Sequence, residues 1–163
     1  MTLAEFWATQ KHDRSRRARV VGASTTGLLA QAEAVPCAAG GKARRVFMPA
    51  FGKARPRVTE NGTYMPAAYE QKRAALRAAF GDAPAGMVHL SVVVERKMPA
   101  SWSQRKRDRT RGHYAAATPD IDNVIGAVMD ALFANDSRVI SVFGERRWAD
   151  IHALVIEIVP AAE

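Results

Sequence analysis

The sequence has little of what several protein classes require. Its 163 residues include one cysteine, Cys37, which excludes an intrachain disulfide and a zinc site built on several thiolates. No apolar run approaches the ~20 residues of a membrane-spanning helix, and charges interrupt the start of the chain where a signal peptide is apolar. We therefore expect a cytoplasmic protein with no membrane partner, in which Cys37 is a small, half-buried side chain.

Acidic residues are scarce in the first 118 positions. That part has 21 Lys or Arg against 8 Asp or Glu, whereas residues 119 to 163 have 3 against 8, so the balances of +13 and −5 give the net charge of +8. A basic body beside an acidic carboxyl-terminal part is typical of a protein that attracts a polyanion and also binds divalent cations. Composition alone leaves two other interpretations open, an RNA-binding or ribosome-associated protein and a charge that only aids solubility.

The proportions of apolar and charged residues, 48% and 25%, predict one compact domain. Regular patterning begins near residue 44, so we assign 44–163 to this domain and 1–43 to a basic N-terminal extension. Within the extension, capping-box spacing predicts a short helix near residues 2 to 12, and a weak helix fits around Leu28 to Ala34.

Within the domain, alternating or continuous apolar residues predict the strands, and apolar residues at helical spacing predict the helices. One helix follows Pro66 and stops at Gly81, and a second, of about 13 residues, starts at Asp120. The predicted strands are Arg45–Met48, Met87–Glu95, Val139–Phe143 and Ile151–Ile158, the last two forming a hairpin that turns near Trp148 to Asp150. The order β, α, β, α, β, β predicts an α+β fold with a mixed sheet and helices packed against it.

Two segments concentrate positive charge. Lys53, Arg55 and Arg57 alternate, and in an extended chain they project from one face about 7 Å apart, close to the phosphate spacing of a DNA strand. A solvated charged face is the alternative. Between Ser101 and Arg111 we predict a mobile loop that contacts DNA, with Trp102 as its anchor rather than a base-stacking group. The cations of this second segment are Arg105, Lys106, Arg107, Arg109 and Arg111.

Asp120 and Asp122 stand at the start of the second predicted helix. Aspartates there can simply cap the helix and complement its dipole. Asp136, just beyond the helix in a chain poor in acidic residues, favours a metal site instead. Mg²⁺ takes one or two carboxylates, waters and phosphate oxygens, which suits phosphodiester hydrolysis. None of the four histidines has zinc-ligand spacing.

Four motifs in order resemble the RusA-like endodeoxyribonucleases, a family common in phages and prophages. They are Gly52 to Arg57, Pro99 to Ser103, Pro119 to Asn123 leading to Asp130-Ala131-Leu132, and Asn135 to Val139. The resemblance covers about residues 45 to 160. It implies a homodimer that resolves four-way (Holliday) DNA junctions by paired nicks, with Mg²⁺, or Mn²⁺ in its place, bound by three aspartates. By motif position these are Asp120, Asp122 and Asp136.

The sequence departs from the family at Gly126, where members generally have a lysine that is important for activity. Lys97, Arg146 and Arg147 are candidates for a replacement cation, and a module that binds branched DNA with little or no catalysis is the alternative. A glycine inside a helix costs about 1 kcal/mol and so needs a reason, such as the close approach of another backbone. A helix reaching Phe133 would also separate Asp136 from Asp120 by roughly 20 Å. We therefore expect two such helices to pack antiparallel in the dimer, so that Asp136 completes the partner's site.

Overall fold

A five-stranded mixed sheet forms the centre of the protein. The computed structural model describes residues 30–37 and 40–161, so the helix predicted near residues 2 to 12 lies outside the described residues. Within these described residues, three α-helices and a separate two-stranded hairpin complete the α+β fold that the sequence predicts. The strands are β1 (Gln31–Ala34), β2 (Lys42–Phe47), β3 (Arg57–Thr59), β4 (Gly62–Tyr64), β5 (Val88–Lys97), β6 (Val139–Ala149) and β7 (Ala153–Pro160). The helices are α1 (Ala67–Phe80), α2 (Gln104–Thr110) and α3 (Ile121–Leu132).

The sheet has the order β1-β2-β7-β5-β6, with β6 parallel to β5 and the other neighbours antiparallel. The predicted hairpin between the last two strands is therefore wrong, because β5 lies between β6 and β7. Val88, Leu90, Val92 and Val94 on one face of β5 are all buried, and Ser91 and Glu95 on the other face are buried too. A strand buried on both faces belongs in the middle of a sheet, where it takes a partner on each edge.

Helices α1 and α3 pack on one face of this sheet. Leu76 and Phe80 of α1 and Val124 and Val128 of α3 are fully buried, and they join the apolar side chains of β5 and β7 in one core. Apolar residues at helical spacing predicted both helices, and both are confirmed. Gly81 ends α1 with φ of +75°, a conformation that glycine adopts without strain. No helix in the described part of the chain is long and apolar enough to cross a membrane.

Two local predictions are wrong. Gln31–Ala34, assigned to a weak helix, is strand β1, because it pairs with the edge of β2 and this pairing outweighs the helix propensity of its alanines. The basic segment after Trp102 is no loop, because Gln104–Thr110 forms α2. Ser103 caps this helix by accepting a hydrogen bond from the Lys106 N–H at 3.4 Å. Arginine and lysine are good helix formers, so a dense charge run favours a helix once a cap is present.

Other sequence predictions are confirmed in detail. The pair Asn61-Gly62 in the sequence predicts a turn, and it stands at the turn of the β3–β4 hairpin: Glu60 and Asn61 form the turn, Gly62 begins β4, and the residues of both strands are exposed. Cys37 is half-buried, and its Sγ donates a hydrogen bond to Oε1 of Glu157 at 3.1 Å. The sheet begins earlier than residue 44, since β1 and the start of β2 belong to it; the division at residue 43 otherwise stays a prediction.

Candidate metal and DNA site

Asp120 and Asp122 lie at the exposed start of α3, where the chain arrives from Thr118 and Pro119. Asp120 is the N-cap residue by backbone position, and its carbonyl accepts the Val124 N–H at 3.1 Å. Its carboxylate makes no capping hydrogen bond. Both carboxylates are exposed. The capping role that the sequence left open is therefore not the role of the Asp120 side chain.

The approach to this helix is held by cations from the sheet. Arg96 of β5 donates to the carbonyl of Thr118 and Arg146 of β6 to that of Pro119, each at 2.8 Å. The Thr118–Pro119 peptide bond is cis. These contacts fix the position of Asp120 at the end of the sheet where β5 finishes.

Three carboxylates differ from most others in the described chain, because Asp120, Asp122 and Asp136 have no ion pair or side-chain hydrogen bond to another described residue. By contrast, Asp150 pairs with Arg111, and the hydrogen bonds from that guanidinium hold the pKa of Asp150 below its usual range. In a chain of net charge +8, carboxylates that make no ion pair with any described residue are available to a cation from solution.

Asp136 does not join the other two within one chain. It follows α3, whose 12 residues span about 18 Å, whereas Asp120 precedes that helix. Strand β6 gives an independent measure of this separation. Asp136 lies just before Val139, where β6 begins. Arg146, which is bonded to Pro119, lies seven residues further along the strand, or about 23 Å away. Among the described residues, no group of three His, Cys, Asp or Glu side chains is placed to bind a metal ion.

The eight predicted DNA-binding cations divide into three whose side chains make ion pairs or hydrogen bonds with described residues and five for which the described part of the chain shows none. Arg107 donates to the carbonyls of Trp102 and Ala100, at 3.2 and 2.9 Å, and so fixes the turn before α2. Arg111 is bound to Asp108 and Asp150. Lys53 is bound to Asp130. Arg55 and Arg57 are exposed beside the hairpin, and Arg105, Lys106 and Arg109 line an open cleft with Ser103, Thr110 and His113.

Trp102 contacts both the sheet and a cation of the cleft. Its ring centroid lies 5.0 Å from that of Trp148 on β6, and Lys106 Nζ lies 4.1 Å from the Trp102 centroid. The anchoring role predicted for Trp102 is confirmed. A cation stacked on an aromatic face keeps its outer side open to phosphate oxygens.

Sequence reasoning missed one arrangement in this region. Gly52 and Lys53 pack against the start of α3: the Lys53 N–H donates to the Asn123 carbonyl at 2.9 Å, and a Cβ on Gly52 would lie 3.1 Å from Pro119 Cβ. The stem of Lys53 then crosses Gly126. The glycine was the signal, although the close neighbour is the Lys53 side chain and not the backbone that we expected, and Lys53 was not among the replacement cations considered. Of those, Arg147 is paired with Glu95 and Arg146 with Pro119.

Comparison with protein families shows a match over most of the chain. The model of a family described as endodeoxyribonuclease RusA matches residues 48–159, and no curated protein matches the chain. The matched span includes all three aspartates, both basic segments and Gly126. It begins after β2, so β1 and β2 lie outside the matched span.

Proposed function

Because the chain belongs to the endodeoxyribonuclease RusA family, a family that acts on branched DNA, we propose that it is a Mg²⁺-dependent resolvase that cuts four-way junctions by paired phosphodiester hydrolysis. The observation that carries the proposal is the exposed pair of carboxylates at the start of α3, which no described residue of this strongly basic protein pairs with. Their oxygens fit Mg²⁺, which takes one or two carboxylates and completes its shell with water and phosphate oxygens. Mn²⁺ has the same preference for oxygen ligands and can substitute.

The residues of the site have separate tasks in this reaction. Asp120 and Asp122 hold the ion, which when bound orients the attacking water and offsets charge on the leaving oxygen. Arg96 and Arg146 keep Asp120 in place through the backbone before it. Arg55, Arg57 and the α2 cleft bind the phosphates on either side of the cut. Hydrolysis forms one P–O bond to the water oxygen and breaks one ester P–O bond, and the released oxygen takes up a proton.

We further propose that the active protein is a homodimer in which Asp136 of one subunit joins Asp120 and Asp122 of the other. The separation of about 18 Å along α3 supports this arrangement, because an antiparallel two-fold exchanges the two ends of the helix. A surface for such a contact adjoins α3. Ile125 lies against Gly144 of β6, and two residues earlier on that strand Val142 is 45% exposed. Paired nicks need two sites, which a two-fold dimer supplies.

Cleavage of a synthetic four-way junction with Mg²⁺ tests the function. We expect wild type to cut and Asp122→Asn to bind without cutting. Tight junction binding without cleavage by wild type would instead identify a binding module, and no preference for junctions over duplex DNA would point to an RNA-binding protein. Glu60→Gln, which removes an exposed acidic residue in the β3–β4 turn, is the matched control for lost negative charge.

Mixed dimers test the shared site. An Asp120→Asn subunit paired with an Asp136→Asn subunit regenerates one intact site if Asp136 acts across the dimer, so single nicks should appear. If Asp136 acts within its own chain, both sites of this heterodimer are broken and no nicks form. Val142→Glu should give a monomer by analytical ultracentrifugation that leaves junctions uncut.

A further inference from the structure

Helix α3 has an open groove at Gly126, and the side chain of Lys53 fills it. A Cβ placed on Gly126 would lie 3.3 Å from Lys53 Cδ and 3.8 Å from its Cβ. The methylene stem of Lys53 thus occupies the space into which a side chain at position 126 would grow. Any residue larger than glycine there would have to displace this lysine.

Lys53 is fixed at its backbone and held weakly at its tip. Its N–H is bonded to Asn123, while its Nζ donates to Asp130 Oδ1 at 3.0 Å. The side chain of Lys53 is 52% exposed, and an exposed ion pair of this kind contributes little to stability. The ammonium can therefore leave Asp130 at small cost.

Asp130 has a second partner that remains when Lys53 leaves. The hydroxyl of Tyr69 donates to Asp130 Oδ2 at 2.8 Å. Burial, and then the hydrogen bond to Asp130, raise the pKa of Tyr69 far above its usual range, so the hydroxyl stays protonated and donates at any physiological pH. The carboxylate is not left without a partner, which further lowers the cost of releasing the lysine.

The two aspartates on this side of α3 are equally spaced about the groove. Asp122 lies one turn before Gly126 and Asp130 one turn after it, each about 6 Å along the axis. Residues four apart share a helix face, so Asp122, Gly126 and Asp130 form one row. The flexible four-carbon stem of Lys53 begins beside Gly126, so it is long enough to bring the ammonium to either end of this row.

We propose that Lys53 is a catalytic residue of the nuclease: when DNA binds, its ammonium moves from Asp130 along the Gly126 groove to the phosphate held beside Asp120 and Asp122. The proposal rests on the nuclease function proposed above. At that phosphate the fixed positive charge stabilises the negative charge that builds up during hydrolysis. The glycine keeps the groove clear, so Lys53, from the neighbouring segment, brings to the site the positive charge that position 126 does not supply.

Lys53→Met tests the role, since methionine keeps most of the stem and removes the charge. We expect the single-turnover cleavage rate at saturating junction to fall by about 100-fold or more, the loss typical of a removed electrostatic group. Junction affinity, measured with Ca²⁺ in place of Mg²⁺, should change by less than about threefold. Arg55→Ala is the comparison, because it should weaken affinity and reduce the salt dependence by about one phosphate contact with a smaller effect on the saturated rate.

Transfer of the lysine gives the sharpest result. In Lys53→Ala the groove is empty, so adding Gly126→Lys should place an ammonium on the same row of α3. The double variant should cut at least tenfold faster than Lys53→Ala alone. A Lys53→Met protein that cuts as fast as wild type at saturation would overturn the proposal. Wild type that never cuts junctions would refute the nuclease function instead, which keeps the two failures distinct.

A spectroscopic measurement follows Lys53 without any cleavage. Its Cε methylene signal in a carbon–proton NMR spectrum is identified by its disappearance in Lys53→Met. Adding an uncleaved four-way junction with Ca²⁺ should shift this signal, and the shift should be absent with Ca²⁺ alone. A Lys53 signal that stays at its Asp130-bound position with junction present would contradict the movement.

Discussion

Glu95 on β5 is bonded to Arg45 on β2, although strand β7 lies between them. The side chain of Glu95 is only 6% exposed, and it accepts a hydrogen bond from Arg45 Nε at 2.7 Å and from Arg147 Nη2 at 2.9 Å. The small residue Ala153, opposite Glu95 on β7, is fully buried. One carboxylate therefore joins three strands of the sheet.

Replacing Glu95 with glutamine should destabilise the protein by about 2–3 kcal/mol. Removing one partner of a fully buried ion pair costs about 3–5 kcal/mol, and the part exposure of both arginines reduces this. Urea unfolding of wild type and variant measures the difference. Glu145→Gln, whose oxygen lies 3.8 Å from Arg147, is the control and should cost less than about 1 kcal/mol. Equal losses in the two variants would mean that the buried pairing is not what stabilises the sheet.

Gly144→Ala should loosen the contact between α3 and β6. The new Cβ would lie 2.6 Å from Ile125 Cδ1 and 3.1 Å from Ile121 Cγ1, so the helix or its side chains must shift. We expect a loss of about 1–3 kcal/mol in unfolding free energy, the usual cost of overpacking. Adding Ile125→Val removes the closest atom and should restore part of that loss. No recovery in the double variant would show that the backbone, not Ile125, resists the methyl group.

Gly126→Ala should raise the free energy of unfolding, whereas Gly144→Ala should lower it. Alanine favours a helix over glycine by about 1 kcal/mol, and the neighbour of the new methyl group is the flexible stem of Lys53. Thermal or urea unfolding should therefore show a gain of up to about 1 kcal/mol. A loss of stability would mean that the Lys53 stem cannot move aside, and it would count against a mobile lysine.

The cations of α2 should differ in what their removal changes. Arg109→Ala and Arg105→Ala should weaken junction binding and lower its salt dependence, with little effect on stability. Arg107→Ala removes three hydrogen bonds to the carbonyls of Pro99, Ala100 and Trp102, so it should mainly lower the unfolding free energy. Binding titrations at several salt concentrations, with unfolding curves for the same variants, separate the two effects. A salt dependence that Arg109→Ala leaves unchanged would exclude the cleft from the DNA interface.

His152 should make the fold sensitive to mild acid. Burial, then the nearby charges of Arg96 and Lys97, lower the pKa of His152 below its ordinary 6.5. The unfolded chain therefore takes up a proton before the folded one does, and stability falls as the pH drops through 6.5 toward the lower folded value. Urea unfolding between pH 8 and 5 should show a smaller loss for His152→Gln than for wild type. His113→Gln is the comparison, because it makes the same substitution at another exposed histidine.

The parts of the fold that could be predicted have signals within one segment. Apolar spacing identified α1 and α3, and Gly81 marked the end of α1. Strand partners were harder, because the neighbour of a strand depends on segments far along the chain. Val139 and Ala153 begin two strands that are consecutive in sequence, and only the two buried faces of β5 indicate that it separates them. The helix α2 was missed because its charge run was interpreted as a mobile loop that contacts DNA, although Ser103 offered the cap.

The candidate site shows the same division. Asp120 and Asp122 stand out in the sequence because acidic residues are rare and because they begin a helix. Only the structure shows that the Asp120 side chain makes no capping hydrogen bond. The place of Lys53 depends on a contact between residues 53 and 126, and nothing local to either position indicates it except the glycine.

The insertion of β5 between β6 and β7 bears on how the chain folds. A hairpin of neighbouring strands can form early, because its ends are joined by a few residues. Here the three residues between Ala149 and Ala153 connect strands that must stay one strand apart, and β6 gains its partner only from a segment about fifty residues earlier. Closing such long loops before pairing slows folding. Strands β6 and β7 are therefore expected to pair with β5 together, in a late and cooperative step of folding.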